Sequence, residues 1–442
     1  MRRRGMLLSA AAVLVASGAR ADGAAINISL RRMLAAGEVD AQREALRELA
    51  IPSAVPGLIA MLFWLEDPIY PDIVAVLNKV TGASPGPDWF DWMVWQQDHP
   101  EYLSHIGFDV LLADLYTGLD PQFLRFLRVG IAHTIRLEEI TWGGVKVDGI
   151  PALDDPAVLT AAAATYLNPD DVVFGAVIGG QARAWPMRII AWHEMVNDVL
   201  GGVPVSLAYC TLCGSAILFD GRVQGRNPPF RFGSSGLLFR SNKLMYDRET
   251  NSLWNQFTGR PVIGALVGSG VQLAPLALVT TTWQAWKAAH PTTTVLSLAT
   301  GAVRDYAPGV AYRSYFASPD IAFPAAFTDR RLAAKDKVFG LRLQGGVKAY
   351  PLTRFAGGAV INDRVGLQNV VLIGDAAREE VRAYARDGED FTAAGFGKLT
   401  AGGAVWQIEE TALRGPNGRT LARLPGHIAY WFAWAGYFPD QI

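Results

Sequence analysis

Cysteine is the scarcest residue type in this chain. Only two cysteines are present, Cys210 and Cys213. A disulfide between them would close a very short loop, and the stabilisation that a disulfide provides grows with the length of the loop it closes. A purely structural disulfide is therefore a poor explanation of the pair. A reactive dithiol or a pair of metal ligands remain as explanations.

Several other features are also missing, and each absence excludes a class of protein. The 40 basic and 41 acidic residues nearly balance and form no basic patch, which argues against a nucleic-acid partner. Beyond the N-terminus, no apolar run is long enough for a stable membrane span. The sequence also lacks a glycine-rich phosphate loop, a serine-elbow motif and a His-Glu-x-x-His zinc motif.

The N-terminal residues 1–21 have the pattern of an export signal. Three arginines at positions 2–4 precede an apolar stretch from Met6 to Ala16, and Ala19-Arg20-Ala21 is typical of a cleavage site. The arginines also fit a loose twin-arginine pattern. The pattern predicts a mature protein that is periplasmic or secreted.

Residues 22–140 are predicted to form an all-helical, repeat-like module. Asp40 to Leu49 and Val55 to Leu65 carry apolar residues at helical spacing, and prolines separate these short segments. The aromatic stretch Asp88 to Trp95 is predicted to be a further helix. The module is a candidate surface for a small-molecule or protein partner.

The remainder of the chain contains two nearly parallel passages. Residues 173–186 align without a gap with residues 338–351, so that Val338 follows Val173 by 165 positions. The similarity continues, and each half ends on an aromatic stretch, Trp283 to Trp286 and Trp431 to Trp434. This pattern indicates an internal duplication, with a first copy at residues 141–300 and a second, degenerate copy at residues 301–442.

Each copy is predicted to be rich in β-strands, with one main helix near its beginning. In the first copy, Val172 to Ile178 and Ala182 to Trp185 form a hairpin, and a helix runs from Pro186 to the Gly201-Gly202 pair. Asn197 and Asn362 are then expected to cap helix ends. The predicted fold class is α+β, with a duplicated β-rich domain and an N-terminal helical module.

The duplication provides an internal control, because chemistry found in one copy alone is a candidate for function. His193, Cys210 and Cys213 occur in the first copy, and the second has Gly358, Asp375 and Arg378 in their places. Two sulfurs spaced as Cys-x-x-Cys can bind a soft metal such as copper(I) or zinc, or exchange disulfides as catalytic thiols. His193 is the candidate third metal ligand.

Further candidates lie near the cysteines in sequence. Tyr209 precedes the first cysteine and could donate a hydrogen bond to a sulfur or a substrate. The first copy also has a surplus of residues around positions 242–248, where Met245, Tyr246 and Asp247 are candidate cofactor-binding residues. If His193 does not reach the metal, the start of its helix is expected to lower the pKa of the thiols.

Five stretches of the chain resemble a known family, the domain of unknown function (DUF) 3179 family of exported bacterial and archaeal proteins. The family usually has Cys-Pro-Leu-Cys, and Thr211 stands at the proline position here. The resemblance covers roughly Ile140 to the C-terminus, leaves the helical module outside, and implies no activity. The stretches are residues 143–151, 192–198, 208–214, 232–238 and 244–254.

Three functions fit these observations. The first is an exported protein that binds copper(I) or zinc through Cys210, Cys213 and His193, with redox activity left open. The second is a periplasmic thiol-disulfide oxidoreductase, although no thioredoxin-like βαβ pattern surrounds the motif. The third is a non-enzymatic binding or scaffold protein.

Overall fold

The computed structural model describes residues 22–223, 225–395 and 397–438, and the chain divides into two compact units. The first unit comprises Met1–Thr141 with two short segments, Val262–Val267 and Phe323–Ala326. The second comprises Trp142–Pro261, Gly268–Ala322 and Phe327–Ile442. The predicted export signal, residues 1–21, lies outside the described residues.

The first unit is helical, as the apolar spacing predicts. Pro56 and Pro71 lie in the first turns of their helices, where a missing N–H leaves no hydrogen bond unmade. Leu58 and Ile73 are fully buried between neighbouring helices. The helices are α1 (residues 22–35), α2 (Val39–Glu48), α3 (Val55–Trp64), α4 (Tyr70–Thr81), α5 (Trp89–Asp98) and α6 (Phe108–Leu119).

The second unit is a mixed α+β structure in which short helices accompany many strands. Its first part contains helices α7 (Met187–His193), α8 (Trp283–Ala289) and α9 (Arg313–Ala317). Strand β1 (Ile140–Trp142) leads into it. The strands that follow are β2 (Leu153–Asp154), β3 (Val158–Thr160), β4 (Val172–Ile178), β5 (Gln181–Pro186), β6 (Met195–Leu200), β7 (Val203–Cys210), β8 (Ser215–Asp220), β9 (Phe232–Phe239), β10 (Asn242–Asp247), β11 (Leu253–Asn255), β12 (Arg260–Ile263), β13 (Pro275–Leu276), β14 (Val279–Thr282) and β15 (Thr294–Leu296).

The second part of this unit contains the remaining strands and ends on helix α10 (Trp431–Tyr437). These strands are β16 (Lys337–Leu343), β17 (Gly346–Pro351), β18 (Ala359–Val365), β19 (Gln368–Asp375), β20 (Glu380–Ala385), β21 (Thr392–Ala393), β22 (Lys398–Ala401), β23 (Ala404–Ile408), β24 (Ala412–Arg414), β25 (Thr420–Leu424) and β26 (Gly426–Tyr430). None of the helices in the described part of the chain is long and apolar enough to cross a bilayer.

The strands of the unit form several sheets. In the first part, β14-β4-β5-β15-β3 form one sheet, β13-β8-β7-β6-β2 form another, and β9, β10 and β11 pair in that order. In the second part, β17-β16-β26 form a small sheet, and β18 to β25 form a larger one in the order β18-β19-β20-β25-β24-β23-β22-β21. We call the strands from β4 to β14, with helix α8, the first half, and those from β16 to β26, with helix α10, the second half.

The two halves repeat the same arrangement at a constant interval. β16, β17, β19 and β20 begin and end 165 positions after β4, β5, β7 and β8. Close packing repeats as well: a Cβ on Gly175 would lie 2.5 Å from the Trp286 ring, and one on Gly340 would lie 1.9 Å from the Trp434 ring. Glycine is therefore required at both positions, because only a bare backbone lets the tryptophan pack there.

Asn197 and Asn362 do not cap helix ends, contrary to the sequence-based expectation. Both lie in strands, β6 and β18. The Asn197 amide donates to Phe232 O and its oxygen accepts from Phe232 N, each at 2.9 Å. Asn362 makes the same two bonds to Phe391, each at 2.8 Å. Each asparagine thus satisfies both backbone groups of a residue on a neighbouring strand, which explains why both halves keep it.

The predicted helix from Pro186 to Gly201 is wrong in its second part. Helix α7 ends at His193, where Glu194 adopts a left-handed conformation with φ 56°. Residues 195–200 instead form β6, and Gly201-Gly202 is the tight turn that joins β6 to β7. Asn and Asp are unfavourable inside a helix, and two adjacent glycines suit a hairpin as well as a helix end. In the second half the helix shrinks to a 3₁₀ turn, Leu352–Phe355.

Candidate functional site

The two cysteines lie on the tight turn between β7 and β8. Cys210 is the last residue of β7, and Cys213 N donates to Cys210 O at 3.2 Å. The turn is fixed from outside by Tyr315, whose hydroxyl donates to Leu212 O at 2.6 Å, and by Tyr430 N, which donates to Cys213 O at 2.8 Å. The sequence therefore presents both sulfurs on one side of a rigid hairpin.

The two sulfurs are in contact and are shielded from solvent. Cys210 is 2% exposed and Cys213 is fully buried, and both are free thiols. The Cys210 thiol lies 3.0 Å from the Cys213 sulfur, and both thiols lie near Ser241 O, at 3.8 and 3.4 Å. Such burial keeps both sulfurs out of contact with bulk solvent.

A strained turn between β9 and β10 holds polar groups against the sulfurs. Arg240 and Ser241 both have left-handed backbones, with φ 50° and 64°, although neither is glycine. Each such residue costs about 1–3 kcal/mol and is found mainly where the surroundings impose it. The turn places Ser241 O near both thiols and starts the strand on which Asn242 lies.

Asn242 connects the cysteine pair to a buried amide network. Its Nδ2 donates to Cys213 Sγ at 3.4 Å and to Gln256 Oε1 at 2.9 Å. Gln256 in turn donates to Ala208 O at 3.0 Å and to Ser215 O at 3.2 Å, which lie on the two cysteine-bearing strands. Two buried oxygens beside this network, Ser241 Oγ and Asn242 Oδ1, have no hydrogen-bond partner within the described residues.

The surroundings of Cys213 disfavour the thiolate form of its side chain. Burial, together with the neighbouring Cys210 sulfur, raises the pKa of Cys213 well above its usual value, and the Asn242 amide opposes that rise. The expectation that a helix start lowers the thiol pKa is therefore wrong for Cys213, because the loss of hydration dominates.

A buried ion pair lies next to the cysteine turn. Lys243 Nζ is 2.8 Å from Glu194 Oε2, and the two side chains are only 4% and 10% exposed. Lys243 also donates to Ser234 Oγ at 3.3 Å, and Glu194 accepts from Thr211, which stands between the cysteines, at 3.1 Å. Tyr312 adds a bond to Glu194 at 3.3 Å. Through the bond from Thr211 to Glu194, the network holds the cysteine turn in place, and it supplies an acidic and a basic group close to the turn.

A cavity of about 450 Å³ opens beside the site. Its walls include Tyr209 and Gly214, the neighbours of the two cysteines in sequence, and Tyr430. Lys335 and Lys337 also line it. Lys335 donates to Tyr315 O and Ser318 O at 2.6 and 2.9 Å, and burial lowers its pKa, while Lys337 is paired with Glu379.

His193 is buried, but its hydrogen bonds go to partners other than the cysteines. Nδ1 lies 2.8 Å from Pro151 O, so this nitrogen carries the proton, and Nε2 accepts from the Tyr306 hydroxyl at 2.6 Å. Burial lowers the pKa of the ring, which keeps it neutral. A role as metal ligand would require Nε2 to release Tyr306.

The other candidates from sequence lie on the strands around the site. Tyr209 is buried in β7 and lines the cavity, and burial raises its pKa. Met245 is fully buried in β10. Tyr246 donates to Asp148, and Asp247 accepts from Trp254 Nε1 at 2.8 Å and Thr250 N at 2.6 Å. These bonds tie Asp247 to the turn after β10.

Sequence reasoning missed Ser241 and Gln256, included Asn242 and Lys243 only as part of the surplus at positions 242–248, and left Glu194 undecided. The signal for Glu194 was present in the two parallel passages, because Ala359 stands at its counterpart and Ala376 at that of Thr211. Gln256 carried no such signal, since its importance comes from long-range contacts with Asn242 and the two cysteine-bearing strands.

The acidic and sulfur-bearing side chains do not form a conventional metal cluster. Within residues 22–223, 225–395 and 397–438, no group of three or more His, Cys, Asp or Glu side chains could hold a metal ion. The protein's own candidate donors at this site are therefore the two sulfurs and the neighbouring Ser and Asn oxygens.

Comparison with known proteins gives one match. No curated protein and no solved structure matches the chain. The family model described as "Protein of unknown function (DUF3179)" matches residues 147–441, which include the cysteine turn and both halves. The chain therefore belongs to the DUF3179 family.

Proposed function

We propose that Cys210 and Cys213 form a soft-metal centre that binds copper(I). The observation that carries this proposal is the pair of buried sulfurs, 3.0 Å apart, beside two unpartnered oxygens, Ser241 Oγ and Asn242 Oδ1. Buried polar atoms are almost always satisfied, so a site with two such atoms is suited to a bound group. Thiolate ligands select soft metals.

Copper(I) fits these donors better than zinc. Zinc takes four protein ligands in structural sites and three in catalytic ones. The part of the chain that the structure describes offers no third His, Cys, Asp or Glu at the pair. Metal binding also overcomes the raised pKa of Cys213, because a thiol that coordinates a metal is deprotonated and releases its proton to the solvent.

A cavity beside the cysteine turn supports a role beyond storage. The 450 Å³ cavity reaches the residues adjoining both cysteines, Tyr209 and Gly214. We propose that a small molecule approaches the metal through this cavity, and that the Glu194–Lys243 pair holds the cysteine turn in place. Export to the periplasm or beyond remains part of the proposal.

We further propose that the two halves arose by internal duplication and that the second has lost the centre. The equal strand intervals, the repeated Asn clamps and the repeated Gly–Trp contacts support this origin. Asp375 and Arg378 then mark the positions from which the sulfurs were lost.

The test is the metal content of the exported, full-length protein, with copper(I) affinity measured by competition with a chromophoric chelator. About one copper per chain is expected, and Cys210→Ser with Cys213→Ser should abolish it. The matched control is Asp375→Ser with Arg378→Ser, at the counterpart positions, which should keep the copper. Wild type that takes up neither copper(I) nor zinc while its thiols are free would contradict the proposal.

A second candidate, dithiol redox chemistry, is favoured by the same 3.0 Å contact. Oxidation needs the sulfurs to approach to about 2.05 Å, with two electrons and two protons passing to an external disulfide. Thiol titration of the purified protein separates the two candidates. Fully oxidised cysteines that rapidly exchange with glutathione would favour the redox function over the metal centre.

His193 is tested separately as a third ligand. Because its ring bonds Pro151 and Tyr306, we expect His193→Gly to leave copper(I) affinity within about threefold, below the tenfold that 1.4 kcal/mol represents. The variant imitates Gly358 of the second half. A loss of affinity well beyond tenfold would show that His193 turns to the metal when it binds.

A further inference from the structure

A cleft lies between the second half and a few residues of the first half, Val177, Ala289 and His290. Its volume is about 710 Å³. Gly358, Asp375 and Arg378, the counterparts of His193, Cys210 and Cys213, all line it. The cleft therefore occupies the place in the second half that corresponds to the thiol site in the first.

The cleft exists because the second half has small residues where the first has large polar ones. Ala359 and Gly358 replace Glu194 and His193. Since Phe232 and Phe391 are held by equivalent asparagines, Ala393 corresponds to Ser234, a partner of Lys243. In the first half, the larger side chains at these positions form a buried hydrogen-bond network. In the second half, the smaller side chains leave an open space and form part of its wall.

Most of the wall is apolar. Val177, Val360, Ile373, Leu399 and Ile408 contribute to it. Concave, mostly apolar sites with a few polar groups are typical of small-molecule binding, and a volume of about 300–1,000 Å³ is usual for them. The wall thus suits a ligand with an apolar body.

The carboxylates in the cleft already have partners. Glu380 is paired with Arg382 and accepts from Thr281 at 2.6 Å. Glu410 is paired with Arg382 at 2.5 Å and with Arg423 at 3.1 Å. Burial alone would raise the pKa of Glu410, but the two arginines hold it well below its usual range. These acids remain ionised and are satisfied by the protein.

Two buried nitrogens in the cleft lack a hydrogen-bond partner in the described part of the chain, and one of them, Arg378 Nε, is always a donor. Arg378 Nε and His290 Nε2 are buried and have no hydrogen-bond partner within the described residues. The nearest carboxylate oxygens lie at 3.6 Å from Arg378 Nε and 3.7 Å from His290 Nε2, beyond hydrogen-bond distance. Both residues line the cleft.

The charged side chains of the cleft are of both signs. Arg378, Arg382 and Lys398 line it together with four acids, Asp375, Glu380, Glu409 and Glu410. Arg382 pairs with Glu380 and Glu410, and Arg378 pairs with Asp375 at 3.2 Å but keeps its Nε without a hydrogen-bond partner among the described residues. A guanidinium with free donors is well matched to a carboxylate, which it can bind through two parallel hydrogen bonds.

We propose that this cleft binds a small amphipathic carboxylate, with the carboxylate at Arg378 and the apolar body along Val360, Ile373 and Leu399. The second half then serves as a ligand-binding site, and its loss of the cysteines accompanies a change of use. This inference stands independently of a metal at Cys210 and Cys213.

The test uses the full-length protein and isothermal titration calorimetry with octanoate, and with octanol as the uncharged probe of the same length. Octanoate should bind saturably, and octanol at least about tenfold more weakly, because it lacks the charge that Arg378 recognises. Arg378→Gln should lower the affinity for octanoate by about tenfold or more and leave the affinity for octanol unchanged. Ala359→Phe, which fills the cleft, should abolish binding of both.

Cys213→Ser, at the counterpart of Arg378, is the matched control and should leave octanoate affinity unchanged. Absence of saturable octanoate binding, equal affinity for octanol, or octanoate binding that survives Ala359→Phe would overturn the proposal. If Arg378→Gln fails to fold, as judged by its thermal unfolding, the octanoate–octanol comparison and Ala359→Phe still decide it.

Discussion

The two halves of the second unit share a framework and differ in what they hold inside it. Both keep an asparagine that clamps a phenylalanine backbone and a glycine under a tryptophan ring. The first half fills the equivalent interior with two cysteines and the buried Glu194–Lys243 pair. The second leaves room for a 710 Å³ cleft whose wall is mostly apolar, with a few charged residues. Shared contacts thus specify the fold, and unshared ones indicate chemistry.

An ion pair found at corresponding positions of the two halves differs in its exposure to solvent. Arg183 pairs with Asp198 in the first half, and Lys348 with Asp363 in the second, 165 positions later. The first pair is 11% and 7% exposed, and the second 32% and 24%. At this position the first half shields its ion pair from solvent more completely than the second.

The largest expected effect comes from breaking the buried pair of the first half. Lys243→Met leaves the Glu194 carboxylate buried without its cation, and such a loss costs about 3–5 kcal/mol. The matched change in the second half, Lys348→Met, removes a half-exposed pair and should cost about 1 kcal/mol or less. Urea unfolding measures both. Equal losses would mean that Glu194 and Lys243 are not a buried pair in solution.

The next effect concerns metal affinity. Asn242→Ala removes the amide that donates to Cys213, and loss of such a supporting bond typically weakens a metal site about 10–100-fold. Chelator competition for copper(I) measures the change. Asn362→Ala, in the clamp of the second half, is the control and should leave copper(I) affinity as it is in wild type. If Asn242→Ala has the copper(I) affinity of the wild type, Asn242 does not support the metal site.

The glycine positions test the shared framework. Gly175→Ala and Gly340→Ala each push a methyl group into a tryptophan ring, and overpacking of this kind costs about 1–3 kcal/mol. Both variants should lower the free energy of unfolding, and neither should change copper per chain. If one glycine tolerates alanine freely, the two halves do not pack their aromatic helices alike.

The smallest effect is a pH dependence of the metal-free protein. An unfolded cysteine has a pKa of about 8.5, while burial raises the pKa of Cys213 in the folded state. Above about pH 8.5 the unfolded chain loses this proton and the folded one keeps it, so stability falls by about 1.4 kcal/mol per pH unit. Unfolding between pH 8.5 and 10 should show this slope in wild type and in Asp375→Ser, and a shallower one in Cys213→Ser.

Much of the framework could be predicted from sequence, because it depends on local patterns. The hairpin at residues 172–186, the strands after Gly202 and the N-terminal helices follow from periodicity, proline and glycine. The end of α7 was missed because Ile189, Val196 and Leu200 lie at a spacing that fits one long helix as well as a helix followed by a strand. That ambiguity also made Asn197 appear to be a cap.

The site was predictable only in part. Comparison of the repeats isolated Cys210 and Cys213, because both are replaced at once. It could not place His193, whose partners Pro151 and Tyr306 are distant in sequence. Nor could it find Gln256 or assign Asn242, within the surplus at positions 242–248, its contact with Cys213, since a hydrogen bond between neighbouring strands depends on register and on strained turns such as Arg240-Ser241. Tertiary contacts of this kind produce no periodic pattern in the sequence from which they could be predicted.

The central claim is that metal chemistry belongs to the first half alone, through its two sulfurs. X-ray absorption at the copper edge, on copper(I)-loaded full-length protein, tests it most directly. We expect two sulfur neighbours around the copper in wild type, the same spectrum in Asp375→Ser with Arg378→Ser, and no bound copper in Cys210→Ser with Cys213→Ser. Copper surrounded by nitrogen or oxygen alone, or copper that persists without the cysteines, would contradict the account.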